Sequence, residues 1–269
     1  MAEIILNGQS VKTEAADMED LKRQTYASEG LSEDIQRHCV WIVEGFQMTI
    51  NWIQKGKMPD REEMESMLCA RHTPHVYEKA KKARVAIAGL GGLGSNIAIM
   101  LARTGIGHLH LIDFDIVEPS NLNRQQYMVE HLGMYKTEAL KDELQRMNPY
   151  IEVQIDTSRI TEENCRDLFK DDDIICEAFD KPDVKAMLTE QILCYYPEKT
   201  LICGSGMAGY GSSNTIKTRK INDHFYICGD GVSGAMPGRG LMAPRVTICA
   251  AHEANMVLRC VLGLDTDEI

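Results

Sequence analysis

The sequence predicts an α/β fold: a doubly wound, mainly parallel sheet covered by helices on both faces, with a small module of different make-up in front of it. Three observations carry this prediction. From Arg84 onward, short apolar runs alternate with longer helix-favouring stretches, the pattern of repeated strand–helix units. Before residue 60, strand-like runs instead cluster around a single helical stretch. Finally, the glycine-rich turn Gly89-Leu90-Gly91-Gly92-Leu93-Gly94-Ser95 follows directly on a buried apolar run, at the carboxyl end of a strand where such sheets bind ligands.

Taken in order, Ile4 to Leu6 meets the turn pair Asn7-Gly8, and Val11 to Thr13 returns as a second strand, the short-range hairpin signal. A helix fits Met18 to Ala27. After Gly30, Cys39-Val40-Trp41-Ile42-Val43 with Phe46, Met48 and Ile50 reads as further strand, ending at Gly56 and Pro59. Hairpin, helix and strands in so short a span predict a β-grasp module over residues 1–57. Residues 58–82 read as a helical connector, since Arg61 to Lys82 is dense in Glu62, Glu63, Glu65, Glu78 and Lys79.

The remaining domain spans 83–269. Strands are expected at Arg84 to Ala88, His108 to Ile112, Val153 to Asp156, Asp173 to Glu177 and Thr200 to Cys203. Helices are expected at Asn96 to Arg103, Thr137 to Met147, Glu162 to Phe169 and Val184 to Cys194. At 269 residues the chain can bury such a domain without staples.

Composition removes several classes of function. The nine cysteines include no C-x-x-C pair, which argues for a reducing compartment and against a four-thiolate zinc site. No run is long enough to span a bilayer and MAEIILNGQS lacks the form of a leader, so a cytoplasmic protein is expected, with no membrane partner. A net charge of −11 makes nucleic acid an unsuitable general partner.

The glycine turn lies between a strand and a helix, so Gly89, Gly91, Gly92, Gly94 and Ser95 can bring backbone N–H groups to a phosphate. Asp113, at the end of the next strand, is placed to accept hydrogen bonds from a ribose. A nicotinamide oxidoreductase fits equally well to this point. The following loop, Asp113-Phe114-Asp115-Ile116-Val117-Glu118-Pro119-Ser120-Asn121-Leu122-Asn123-Arg124-Gln125-Gln126, is dense in acids and amides, and Lys136 follows it. Arg124 and Lys136 supply the cations that a triphosphate under cleavage needs and a dinucleotide does not. Asp180, beyond the strand ending at Glu177, can hold Mg2+, or it can cap the helix that Pro182 opens.

Together GLGGLGS at 89–95, DFDIVEPSNLNRQ at 113–125, Lys136 and Asp180 resemble the ThiF/MoeB/HesA family, relatives of ubiquitin-activating enzymes. Over about residues 71–263 the motif order follows that family. GSGMAGYGSSN at 204–214 and GLMAPRVTICAAHEAN at 240–255 look like the short ThiF-type branch that serves the thiamin sulfur carrier ThiS. The resemblance implies a Rossmann-like domain using ATP and Mg2+ to adenylate the terminal glycine of a ubiquitin-like sulfur carrier ending in Gly-Gly. It implies that Asp113 binds ribose, that Arg124 and Lys136 neutralise the triphosphate, that Asp180 holds Mg2+, and that Asp115, Asn121 and Gln125 shape the nucleotide site. Arg71 lies near where the family draws an arginine from a partner subunit, and a homodimer is implied with it.

Departures from the family are also visible. Paired C-x-x-C motifs are missing, so no zinc is expected. Cys228, among glycines in Tyr226-Ile227-Cys228-Gly229-Asp230-Gly231, is the best candidate for a thioester or persulfide cysteine on an exposed loop, with a structural cysteine as the alternative, while Cys203 reads as buried. Lys185 stands where relatives often have arginine. Residues 1–57 resemble a shortened ThiS-like domain that continues into the connector without a free Gly-Gly end. Other readings remain open here: an oxidoreductase, a non-catalytic nucleotide or carrier binder, a carrier of the molybdopterin route, and an enzyme that activates a carboxylate on modified tRNA.

Overall fold

The computed structural model describes residues 2–6, 9–37, 39–44, 47–52 and 56–264. These fall into two compact units, 1–77 and 78–269.

In the first unit β1 (Ala2–Leu6) and β2 (Gln9–Thr13) form an antiparallel hairpin with Ile4 opposite Val11. The expected turn at Asn7-Gly8, like Phe46, lies outside the described residues. Helix α1 (Met18–Ser28) starts where the Asp17 carboxylate accepts the Asp20 N–H at 2.8 Å, and the single turn α2 (Glu33–Gln36) follows. The run after Gly30 is two antiparallel strands, β3 (Cys39–Glu44) and β4 (Gln47–Trp52). Because β4 pairs in parallel with β1, the sheet order is β2-β1-β4-β3. Ile4 and Leu21 centre a small core with Trp41, whose indole N–H donates to the Tyr26 hydroxyl at 2.7 Å. The stretch expected as one helical connector is broken in two. Helix α3 (Arg61–His72) is opened by a capping box between Asp60 and Glu63 and ends at Thr73, where φ is +73°. Pro74, which has no N–H to donate to the preceding turn, opens α4 (Pro74–Lys82).

The second unit is built on seven strands: β5 (Arg84–Ala88), β6 (His108–Ile112), β7 (Glu152–Asp156), β8 (Ile174–Glu177), β9 (Thr200–Gly204), β10 (Lys217–Asn222) and β11 (Phe225–Gly229). Their order is β10-β11-β9-β8-β5-β6-β7, and only β10 runs antiparallel to its neighbour. Five helices complete it: α5 (Gly92–Thr104), α6 (Lys136–Met147), α7 (Glu162–Leu168), α8 (Pro182–Tyr195) and α9 (Ala243–Leu262).

Side-chain alternation along the strands builds a core on each face. Val85 and Ile87 of β5, with Leu109 and Leu111 of β6, pack against α5, α6 and α9. Ala86, Ala88 and Ile112 point the other way, to α7 and α8. The doubly wound, mainly parallel sheet is therefore as the sequence predicts, while the β10–β11 hairpin is an addition. Successive strands run from β5 outward to β7, then resume at β8 on the other side of β5. The topological switch point thus lies between β5 and β8, where a sheet of this class opens a ligand crevice. No described helix is long and apolar enough to cross a membrane.

One buried polar group ties the sheet edge together. His110 on β6 reaches Asp172 through Nδ1 (2.9 Å) and Asp156 through Nε2 (2.7 Å), at the wall of a cavity of about 510 Å3. Both contacts are donated only by the imidazolium. Burial opposes that charge, but hydrogen bonds and attraction to Asp172 and Asp156 outweigh it and raise the His110 pKa above 6.5. A group raised on folding stabilises fully below its unfolded pKa, and that contribution fades as pH climbs through the folded value. Wild type should therefore exceed His110→Asn in denaturant stability most at about pH 6, with the gap shrinking towards pH 9; an equal gap at both would remove the charge from this account.

Candidate nucleotide site

The glycine turn is shorter than the motif. Only Gly89, Leu90 and Gly91 form the turn, because α5 already begins at Gly92, so Gly92 to Ser95 are its first helical residues. The reason lies in close packing of the backbone on itself. A Cβ on Gly94 would sit 1.8 Å from the Gly89 carbonyl oxygen, and Gly89 itself has φ +91° with Ala178 and Phe179 pressed against it. No side chain caps the N-terminus of α5. Its first N–H groups and the positive end of its dipole are thus directed at whatever lies over the turn. At Gly91 a Cβ would meet nothing nearer than Gln125 Nε2 at 3.9 Å.

Asp113, one residue past β6, staples the turn to the strand end. Its Oδ2 accepts the Leu90 N–H at 2.7 Å and its Oδ1 accepts the Asp115 N–H at 2.8 Å. Burial pushes its carboxyl above the ordinary range, opposed by Lys136 and these two N–H donors. Lys136 is also buried, with Nζ 2.9 Å from Asp115 Oδ2 and 4.0 Å from Asp113 Oδ2. Its position is fixed by its own N–H, which donates to the Asp115 carbonyl at 2.9 Å. Of the two acids, Asp115 keeps half its side chain in solvent, whereas both oxygens of Asp113 are committed to backbone.

The loop between Asp113 and Gln126 folds back over the start of α5. Asn121 Oδ1 accepts the Glu118 N–H at 3.0 Å and sets a 3-10 turn at Pro119–Asn121. The Arg124 stem lies against Gly92, where a Cβ would be 3.4 Å from Arg124 Cγ. Ser95 Oγ donates to the Gly91 carbonyl at 2.6 Å and accepts the Gln126 N–H at 3.1 Å, linking turn, helix and loop. Two buried atoms here have no hydrogen-bond partner among the described residues, Arg124 Nε and Gln125 Oε1. Buried polar atoms left unpaired are costly, so such a pair beside an open glycine and an uncapped helix marks a surface shaped for a polar ligand.

Asp180 reaches the same place from β8. Ala178 donates its N–H to the Ala88 carbonyl at 2.9 Å, and a Cβ on Gly89 would be 3.0 Å from Phe179 Cδ1. The turn carrying Asp180 therefore lies against the glycine turn at the switch point. Asp180 is exposed and does not cap α8, whose N-cap is Lys181, so the capping alternative is discarded.

The ThiF family pattern matches residues 65–269, which include every element of this site. The chain belongs to the ThiF family. Among its relatives is the molybdopterin-synthase adenylyltransferase of Salmonella typhimurium, 31% identical over 187 residues, or 68% of this chain and 74% of the relative. The adenylyltransferase and sulfurtransferase UBA4 of Debaryomyces hansenii is 27% identical over 198 residues, 71% of this chain and 43% of the relative, so this chain spans less than half the length of that protein. In fold it is similar to E. coli tRNA N6-threonylcarbamoyladenosine dehydratase, TcdA, in complex with ATP, with TM-score 0.68 and 20% identity over 77% of this chain and 98% of that one.

The other residues singled out in the sequence lie on further elements. Arg71 is exposed in the last turn of α3 and belongs to the first compact unit. Of the two readings of Cys228 the structural one holds and the exposed loop is corrected: it lies in β11, fully buried, and burial pushes its thiol far above the ordinary range, with Glu253 adding to it. The flanking glycines suggested a loop, but Phe225-Tyr226-Ile227-Cys228 is a β-rich run that pairs in parallel with β9. A buried, protonated thiol is a poor nucleophile. Cys203 is buried at the end of β9, as expected.

Sequence reasoning overlooked two groups near the site. Tyr127 is buried with its hydroxyl donating to the Leu90 carbonyl at 2.8 Å, and Asn96 donates to the Gly92 and Arg124 carbonyls at 2.7 and 3.1 Å. Buried polar residues flanking both motifs were the available signal. Elsewhere, Glu130, His131 and Glu143 bring donor atoms within 4.8 Å of one another. However, His131 Nδ1 accepts the Met128 N–H at 3.0 Å, which leaves the proton on Nε2, and Arg146 pairs with both glutamates. This chemistry suits an ion-pair network rather than a metal.

Proposed function

We propose that the chain uses ATP to adenylate the C-terminal carboxylate of a small ubiquitin-like carrier protein. The observation that carries this reading is that the segments bearing Arg124, Asp113 with its neighbour Lys136, and Phe179-Asp180 all adjoin the glycine turn ahead of one uncapped helix N-terminus. One helix end suits a phosphate of any nucleotide, but two cations and a free carboxylate suit a triphosphate that is being cleaved. A carboxylate nucleophile is weak but needs no base, so positioning and charge neutralisation are the main requirements.

In this reading the α5 N-terminus and Gly91 receive phosphate oxygens, Arg124 and Lys136 neutralise the charge on the α-phosphate and leaving pyrophosphate, and Asp115 offers the ribose an accessible acceptor. Asp113 acts mainly as the staple behind it. The donor set also fits Mg2+: Asp180 is an exposed carboxylate that forms no ion pair among the described residues, and a hard oxygen donor is what that ion prefers. When bound, Mg2+ would screen the phosphate oxygens. Asn121 sets the 3-10 turn of the loop, and Gln125 keeps a side-chain oxygen unpaired among the described residues for the nucleotide.

The carrier is proposed to be ThiS-like and of the thiamin route, because of the resemblance of residues 204–214 and 240–255 to that branch. The order β2-β1-β4-β3 with a parallel central pair supports reading the N-terminal module as a ubiquitin-like relic or docking element. A homodimer and a cytoplasmic setting are part of the same proposal. A tRNA substrate is less suited to a chain of net charge −11.

Incubation with ATP and separate carriers of the thiamin and molybdopterin types, each ending in Gly-Gly, should yield a carrier heavier by one adenylyl group for one of them. If no carrier gains that mass, the proposal fails. Mg-ATP should also raise the melting temperature, by mass action on the native state, whereas NAD should not. The opposite pattern would favour an oxidoreductase.

A further inference from the structure

Glu177 is the last residue of β8, fully buried, and neither nucleotide nor carrier chemistry has yet used it. Its Oε1 accepts the Phe179 N–H at 2.7 Å, two residues on. Lys185, from the first turns of α8, brings Nζ to 2.8 Å from each Glu177 carboxylate oxygen and to 3.0 Å from the Phe179 carbonyl. Both backbone polar groups of Phe179 are thereby held, the N–H by the glutamate and the carbonyl by the lysine that neutralises it. On the other side, the Ala178 N–H is bonded to β5 and the Phe179 ring abuts Gly89. Asp180 is the next residue, and its carboxylate is left to solvent.

A buried ion pair placed only for stability has no reason to spend its hydrogen bonds on one residue of one turn, since such pairs gain little over apolar packing. We infer that Glu177 and Lys185 are positioning residues that lock the 178–180 turn against the glycine turn, so that Asp180 is presented at the switch point in a fixed pose. The inference rests on the assignment of Asp180 above. A lysine suits the position, which needs one cation reaching both a carboxylate and a carbonyl rather than a bidentate fork.

Two measurements test it. The first needs no substrate: amide hydrogen exchange at Phe179, compared with Ile175 and Cys176 of β8. In Lys185→Met, and in Glu177→Gln/Lys185→Met, which leaves no buried charge unpaired, Phe179 protection should fall about tenfold while the two β8 amides keep theirs. Unchanged protection at Phe179, or an equal fall along β8, overturns the inference whatever the protein's activity. The second is a cycle with Asp180→Ala, read by ATP–pyrophosphate exchange. Lys185→Met should lower kcat about tenfold in wild type, with Lys185→Arg restoring most of it, and no more than about twofold in the Asp180→Ala background. Equal losses in both backgrounds overturn it, because residues acting through Asp180 cannot matter equally once it is gone. A wild-type chain that shows no exchange with any carrier would count against the adenylation reading instead, and Phe179 protection would still decide the positioning role.

Discussion

Arg124→Ala should lower carrier-dependent ATP–pyrophosphate exchange by about 10²-fold or more, the scale of a lost transition-state contact, while leaving the melting temperature of the nucleotide-free protein close to wild type. The structure gives both halves of this expectation. Arg124 is half-buried against Gly92, and its Nη1 donates to the Ser120 carbonyl at 3.2 Å and to Asn123 Oδ1 at 2.9 Å. Nε has no partner among the described residues, so the guanidinium retains donors for a phosphate. Asp180→Ala should give a loss of similar size. Asp180 is exposed, so its removal should not disturb folding. Circular dichroism checks the fold and isotope exchange the activity; undiminished exchange in both variants would sink the assignment of this crevice as an ATP site.

The main sheet was legible because its two faces are buried by strict alternation. A run such as Arg84-Val85-Ala86-Ile87-Ala88 has no polar face, which is how a central parallel strand announces itself. Where that signal weakens, the reading stops. β10 is an edge strand of sequence KTRKIN, almost wholly exposed, and it carries no apolar pattern to recognise. Its partner β11 was concealed by Gly229, its last residue, and Gly231 just beyond it, both at positive φ, which together read as a loop. The same masking exposed Cys228 in the sequence and buried it in the fold.

Site residues on the motif loop were readable one by one, but their division of labour was not. Asp113 and Asp115 look interchangeable as a D-x-D pair. Only the fold reveals that one spends both oxygens on backbone N–H groups and that the other faces solvent beside Lys136. Likewise, Glu177 and Lys185 are eight residues apart and on different elements, and their shared hold on Phe179 appears only when strand and helix are packed. Such couplings depend on tertiary geometry, which has no one-dimensional trace.

The four glycines of the motif allow its two duties, folding and binding, to be separated. Gly94→Ala places a Cβ 1.8 Å from the Gly89 oxygen and 2.9 Å from the Gly89 carbon, both backbone atoms that cannot move aside without shifting the turn. It should destabilise the second unit by about 1–3 kcal/mol, as overpacking does, lowering its melting temperature by about 2–4 °C per kcal/mol. ATP stabilisation should be lost along with the turn. Gly91→Ala is different. Its φ of −76° suits an L-residue, and the nearest atom to the new Cβ, Gln125 Nε2, is 3.9 Å away. This variant should melt with wild type when nucleotide is absent, yet the methyl group would stand at the mouth of the turn over the α5 N-terminus. The ATP-induced rise in melting temperature, which reflects RT ln(1 + [L]/Kd), should shrink or vanish in Gly91→Ala even though its stability without nucleotide is that of wild type. Thermal melts with and without Mg-ATP on the two proteins check both statements. Equal ATP stabilisation of Gly91→Ala and wild type would mean that nucleotide phosphates do not approach the backbone at residue 91, and that the crevice must be read from Lys136 and Asp180 instead.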